Sequence, residues 1–389
     1  MKRIDVMQPW LGEEEVTAVR EVLESGWVAQ GPRVAEFEDR FAEAQQINHA
    51  VATSSCTAAL HLALVVAGVP PGADVVVPSY SFIATANAPT YLGARPVFCD
   101  VDPVTGNVTA ATVEAALTPR TAAVIAVDQA GVPVDLDELR ALCDPIAIPV
   151  IEDAACAAGS LYRGQPVGAR AEVTAWSFHP HKIMTTGEGG MLTTSNAAWA
   201  VRSRRLREHA AATTGGERPG VGRHGVERLG IEEYPEIGFN YRMTDLQAAV
   251  GLVQLGRLEQ VVRRRRELAA VYTAAIAEIP GLRAVADPPH GRTNFQAYWV
   301  EVGEEYPLDR DDLLAALARA GVLARRGIMA THLERAYADP GATPLPATER
   351  LARTTVILPL FHQMQPAQQQ RVIAALAAPF GAGARAALS

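Results

Sequence analysis

The chain has few cysteines, no long apolar run and no excess of basic charge. Its 389 residues hold four cysteines, Cys56, Cys99, Cys143 and Cys156. They form no CxxC pair and no His/Cys spacing of a zinc site, so neither a redox motif nor a structural metal is indicated. Such scarcity fits a reducing, cytoplasmic setting. No apolar stretch approaches the ~20 residues that cross a bilayer. The opening MKRIDVMQPWLGEEEVTAV lacks the apolar centre of a secretory signal. A formal net charge of −8 argues against nucleic acid or an anionic membrane as the main partner.

What is present is a globular composition, 49% hydrophobic and 20% charged, in a chain long enough for two domains. Between residues 50 and 195, short β-rich runs (DVVVPS, ARPVFCDV, TAAVIAVD, AIPVIED, VTAWSF, GGMLTT) recur. Helix-like stretches such as TAALHLALVVAG and LDELRALCD lie between several of them. This rhythm predicts an α/β fold, a mostly parallel sheet between helices, with ligands at the carboxyl ends of the strands. Residues 202–236, rich in Arg, Gly and Glu, read as a long loop. Residues 244–277 carry apolar side chains near helical spacing, with Thr244 as N-cap, and read as one long helix or two in tandem. QAYWVEV and TTVILPL read as strands, and RDDLLAALARAG as a helix ending at Gly321. The expected division is a large domain over 1–250 and a bridging helix with a smaller α+β domain over 251–389.

Five segments carry candidate chemistry. In SFHPHKIMTTGEGG (177–190) a single amine, Lys182, lies among hydroxyls and glycines. A lysine that forms a Schiff base must lose its proton to attack, and burial lowers its pKa. Taken alone, it also reads as a surface lysine before a turn. Asp153 ends the apolar run IPVIED and faces either a ligand or, as an N-cap, its own helix. TSSCTAALHLAL (53–64) opens a helix with small hydroxyl residues, a phosphate site or an ordinary cap. Phe82, after VPSYS, can stack on a planar ring or fill the core. Asn240 and Arg242 precede the helix that Thr244 opens.

In this order the five segments resemble the fold-type I pyridoxal-phosphate enzymes, and more narrowly the DegT/DnrJ/EryC1/StrS sugar aminotransferases. The likeness runs from PWLGEEEVTAVREVLESGWVAQGPRVAEFEDRFA to LARTTVILPLFHQM. It implies that Lys182 binds pyridoxal 5′-phosphate covalently and shuttles a proton. Asp153 would pair with the pyridinium nitrogen and Phe82 would stack on the ring. The Cys56 amide, Thr57 and Ser177 would cradle the phosphate. Asn240 would reach the phosphate of a partner subunit, which implies a homodimer with shared sites. Cys156, a further candidate cofactor contact, stands where relatives often carry Gln or His, and Asp128 where they often carry His. The implied reaction takes an amino group from glutamate to a nucleotide-linked keto-deoxysugar. The SFHP and GEGG segments suggest C4. A C3 or keto-cyclitol acceptor, a cofactor-dependent dehydratase and a non-catalytic regulatory homologue are the alternatives. Arg205, Arg207, Arg218, Arg223, Arg228 and either Arg325 or Arg326 are candidate partners of the nucleotide diphosphate. The run Arg263 to Arg266 reads as a solvated helix face.

Overall fold

The computed structural model describes residues 3–213 and 232–381. Arg218, Arg223 and Arg228 lie outside the described residues. Seven strands form the central sheet: β1 (His49–Thr53), β2 (Asp74–Pro78), β3 (Arg95–Cys99), β4 (Thr121–Val127), β5 (Val150–Asp153), β6 (Val173–Ser177) and β7 (Gly190–Thr194). Their order is β1-β7-β6-β5-β4-β2-β3. Only β7 runs antiparallel to its neighbours; the other pairings are parallel. Every residue of β2, β5 and β7 is buried. Helices cover both faces, which is why these strands read as unbroken apolar runs.

The first seven helices are α1 (Glu13–Ser25), α2 (Pro32–Ala44), α3 (Cys56–Val66), α4 (Ala84–Tyr91), α5 (Ala110–Glu114), α6 (Leu136–Cys143) and α7 (Ala197–Leu206). In α3, Ala58 through Leu64 are all buried, the mark of a helix with no solvent face. The expected loop over 202–236 begins later than its composition suggests, because α7 continues through Leu206.

The predicted helical span over 244–277 is two helices in tandem, α8 (Asp245–Gly256) and α9 (Leu258–Ala277). Thr244 caps α8, its hydroxyl accepting from the Gln247 amide at 3.2 Å. The carboxylate of Asp245 binds the amides of Gly31, Arg33 and Val34 at 2.7, 3.0 and 3.0 Å and so satisfies the start of α2. The expected domain division at residue 250 falls inside α8.

A second sheet follows, of β8 (Leu282–Ala284), β9 (Tyr298–Val302), β10 (Arg325–Arg326) and β11 (Thr355–Leu358), in the antiparallel order β8-β9-β11-β10. Helices α10 (Arg310–Arg319), α11 (Pro346–Thr354) and α12 (Pro366–Ala377) accompany it. The N-terminal segment is bound to this unit: Ile4 donates to Gly321 O at 3.0 Å, and Leu360 donates to Val6 O at 3.1 Å. Among the described residues no helix is long and apolar enough to cross a membrane.

The reading of Arg263 to Arg266 as a solvated face is corrected at Arg265. That side chain is 1% exposed, and its guanidinium donates to the carbonyls of Phe295, Gln296 and Leu360. It lies four residues from buried Val261 and four from buried Ala269, on the inward face of α9.

Candidate active site

The site forms where β4, β5 and β6 end and α3 begins. Asp153 is the last residue of β5 and is 4% exposed. Its Oδ1 accepts from the Ala155 amide at 3.2 Å and its Oδ2 from the Thr85 hydroxyl at 3.1 Å. Burial raises its pKa, against the pull of those donors and of Lys182. The Cys56 thiol points at Oδ1 from 4.0 Å, and burial pushes its pKa well up.

Lys182 lies in the turn between β6 and β7 and is half-buried. Its Nζ donates to Cys156 Sγ at 3.2 Å. Burial works against the ammonium form, but Cys156, Cys56 and Asp153 together outweigh it and leave the amine above its usual range. The lowering expected from burial alone is thus reversed by neighbours from two other elements. Thr185 and Thr186, which flank the turn, spend their hydroxyls on it: they donate to Phe178 O at 2.9 Å and Glu188 O at 2.7 Å.

Cys56 and Thr57 are the first two residues of α3, behind the N-cap Ser55. Their amides have no intrahelical acceptor and sit at the positive end of the helix dipole. Ser177 ends β6 and pairs in register with Gly190, which pairs on its other side with Thr53. Sheet register therefore brings Ser177 beside the start of α3. A Cβ on Gly190 would fall 2.5 Å from the Cys56 amide nitrogen, so only glycine lets β7 approach this helix end.

Phe82 is 65% exposed, a large ring left without cover between β2 and α4. Its loop is clasped by the second unit. Thr331 donates to Ser79 O at 2.8 Å through its amide and to Ser81 O at 2.9 Å through its hydroxyl, and Ser79 Oγ meets His332 Nδ1 at 2.6 Å.

The structure thus brings Lys182 against Cys156 and Cys56 against Asp153, with Thr57 and Ser177 at the adjoining helix end. Asn240 is not part of this cluster. It is exposed, and its backbone bridges Glu208. Of the positions that shape this cluster, Thr85 was not singled out from the sequence, whereas Gly190 belongs to the glycine-rich stretch that was. Thr85 lies one turn beyond Phe82 on α4, and spacing from Phe82 was the signal that could have found it. Asp128, at the end of β4, is fully buried with Oδ1 accepting from the Val134 amide at 2.9 Å and Oδ2 unpartnered.

Among the described residues, the candidate nucleotide arginines are mostly engaged. Arg207 is buried and bonded to Glu38 and to Ala52 O, and Arg205 is paired with Glu236. Neither is available to a diphosphate. Arg326 lies 3.6 Å from Asp311, whereas Arg325 has no ion-pair partner among the described residues. No group of His, Cys, Asp and Glu among the described residues could hold a metal ion.

A doubly covered sheet, an amine in the field of a buried carboxylate and a helix end with free amides suit a pyridoxal-phosphate-dependent aminotransferase. The DegT/DnrJ/EryC1/StrS aminotransferase family model matches residues 9–377, and the chain belongs to that family of sugar aminotransferases. Solved structures agree. The aminotransferase TlmJ from Streptoalloteichus hindustanus is 38% identical, with a TM-score of 0.87 over 97% of this chain and 98% of that one. DesV of S. venezuelae, solved in complex with a ketimine intermediate, is 31% identical, with a TM-score of 0.85 over 97% and 98%. The sugar aminotransferase Spr1654 from Streptococcus pneumoniae, in its PMP form, is 27% identical, with a TM-score of 0.88 over 96% of each chain.

Proposed function

We propose that this enzyme moves an amino group from glutamate to a nucleotide-linked keto-deoxysugar, at C4, in amino-sugar biosynthesis. The observation that carries the reading is the Lys182 amine held beside Cys156, in the field of a buried carboxylate, next to a helix end with free amides.

The residues present fit pyridoxal phosphate. The amides of Cys56 and Thr57, with the Ser177 hydroxyl, suit a phosphate. The exposed face of Phe82 suits a flat ring. Asp153, fixed by Thr85 and Ala155, suits a protonated ring nitrogen and holds that proton in place. When bound, the cofactor supplies the electron sink that lets a proton leave the carbon bearing the amine. Lys182 is the chain's own base and acid at that carbon, and its Nζ is tethered in reach by the turn over 178–189.

Asn240 supports a homodimer with shared sites. An exposed amide outside its own chain's cluster is free to reach a partner's phosphate. Spr1654, a sugar aminotransferase, is similar over 96% of its length, which supports a sugar acceptor; the C4 position rests on the SFHP and GEGG segments.

The test is borohydride reduction of the cofactor-loaded enzyme followed by peptide mapping, with single turnovers against glutamate. A label on Lys182, release of 2-oxoglutarate and accumulation of pyridoxamine phosphate are expected. A label elsewhere would overturn the reading. Lys182→Ala should retain folding and lose both label and turnover.

A further inference from the structure

The site lies at the carboxyl ends of β4, β5 and β6, and one short segment of the second unit ties together the turns that follow all three strands. Residues 294–296 form that strap, just before β9. Beyond β6, the Gln296 side-chain amide donates to the His181 carbonyl at 2.6 Å, one residue before Lys182. Beyond β5, the Asn294 side-chain amide donates to Cys156 O and Ala158 O, both at 2.8 Å. Ser160 carries the link to the turn beyond β4: its hydroxyl accepts from the Asn294 backbone N–H at 3.0 Å and donates to Gly131 O at 2.7 Å. The Ala297 N–H donates to Ala130 O in the same turn at 3.3 Å.

The strap is itself firmly held. Arg265 of α9 donates to Phe295 O at 2.9 Å, to Gln296 O at 2.6 Å and to Leu360 O at 2.8 Å. No carboxylate pairs with this buried guanidinium among the described residues, and burial drives its pKa down to about 9, so its charge is turned onto carbonyls alone. Asn294 Oδ1 accepts from the Gln296 N–H at 2.7 Å. Phe295 has a φ of 51°, a left-handed conformation that a non-glycine residue keeps only where its surroundings over-determine it. A Cβ on Gly131 would fall 2.0 Å from Asn294 Oδ1, so the strap fits only against glycine there. Gln296, His181 and Arg265 also line a cavity of about 310 Å³, and Lys182 lines a smaller one beside Arg265. The Lys182 turn therefore borders open space on this side, and the Gln296 bond spans the wall of that space.

We propose that Gln296 and Asn294 are positioning residues for transamination, fixing the Lys182 and Cys156 turns against each other and so the place of the Lys182 amine. The inference rests on the transamination reading and adds to it residues that act through backbone carbonyls. The 3.2 Å contact from Lys182 Nζ to Cys156 Sγ joins two side chains whose backbones, at His181 and Cys156, are both held by the strap. A base works only within hydrogen-bond reach of the proton it moves, and misplacement by about 1 Å costs about a hundredfold in rate.

Gln296→Met keeps the bulk and removes the donor; Gln296→Leu does the same with a different shape. Tyr306→Phe is the matched control, since it removes a buried hydroxyl that donates to Leu376 O at 2.7 Å within the second unit. The cofactor-loaded proteins are compared by single turnovers with L-glutamate, by pH titration of the visible cofactor band and by thermal melting. Both changes at 296 should lower the saturated rate about tenfold while glutamate half-saturation moves less than about twofold. The midpoint of the band titration should shift by about half a pH unit, because the amine has changed its distance from Cys156 and Asp153. Tyr306→Phe should lower the melting temperature and leave the rate and the midpoint as in the parent. A parental rate and midpoint in both variants at 296 overturns the inference, and so does an equal change in Tyr306→Phe, which reduces the strap to general stability. The borohydride label keeps the two claims apart. A parent labelled on Lys182, with rate and midpoint unmoved in the variants, sinks this inference alone; a parent without that label sinks the transaminase reading.

Discussion

Gly190→Ala tests how the phosphate end of the site is built. The added Cβ would lie 2.4 Å from the Ser55 carbonyl carbon, 2.5 Å from the Cys56 nitrogen and 2.5 Å from the Ser55 oxygen. All three are backbone atoms, so no side-chain rotation relieves the contact. Ordinary contact begins near 3.4 Å, so something must move by about 1 Å. β7 is held on both sides, by β1 and β6, and cannot retreat within the sheet. The start of α3 yields instead, carrying the Cys56 and Thr57 amides away from a phosphate. Overpacking of this kind costs about 1–3 kcal/mol. Felt in cofactor binding, at about 1.4 kcal/mol per tenfold, it weakens pyridoxal phosphate by roughly 5- to 150-fold. The assay is titration of the cofactor-free protein with pyridoxal phosphate, followed by absorbance and paired with a thermal melt. Gly256→Ala, where the added Cβ meets nothing within 4 Å, is the control and should bind the cofactor as the parent does. Parent-like affinity and melting in Gly190→Ala would refute the argument that β7 and α3 touch only because residue 190 has no side chain.

Two further outcomes follow from the buried acids. Asp153→Asn removes a charge worth about 4 kcal/mol to a cation 4 Å away at an effective dielectric of 20, or about 3 pKa units. Turnover should fall on the order of a thousandfold while borohydride still labels Lys182; a loss under tenfold would remove Asp153 from its role. Burial raises the Glu152 pKa from 4.5 to about 7. A raised folded-state pKa means the contribution to stability is complete below the unfolded value and is lost as pH climbs through the folded one. The cofactor-free parent should therefore lose stability relative to Glu152→Gln between pH 4.5 and about 7, read by urea unfolding at fixed pH steps. A difference that does not change with pH would contradict it.

Much of the fold was legible in sequence because burial on both faces favours apolar runs, and β2, β4 and the start of β5 supply them. β1 was passed over: HAVAT is as long as β2 and β3, but its pairing with β7 is a matter of register with a strand far along the chain. The end of β5 marked Asp153, and the hydroxyl- and glycine-rich turn marked Lys182. The sign of the Lys182 shift was not legible, since it depends on Cys56, Cys156 and Asp153 arriving from elsewhere. The run from Arg263 to Arg266 looked uniform as letters. Its phase against Val261, Ala269 and Tyr272 carried the information that Arg265 turns inward.

By itself the sequence marked most strands of the central sheet, Lys182 in its hydroxyl- and glycine-rich turn and the acid that ends β5. These follow from periodicity and side-chain chemistry, which are local. Tertiary structure alone decided that Thr85 anchors Asp153, that Gly190 admits the start of α3, and that Arg265 stands uncompensated beside a cavity. Those are meetings between distant segments, set by sheet register and helix packing, and no local pattern encodes the distance at which such segments come to rest.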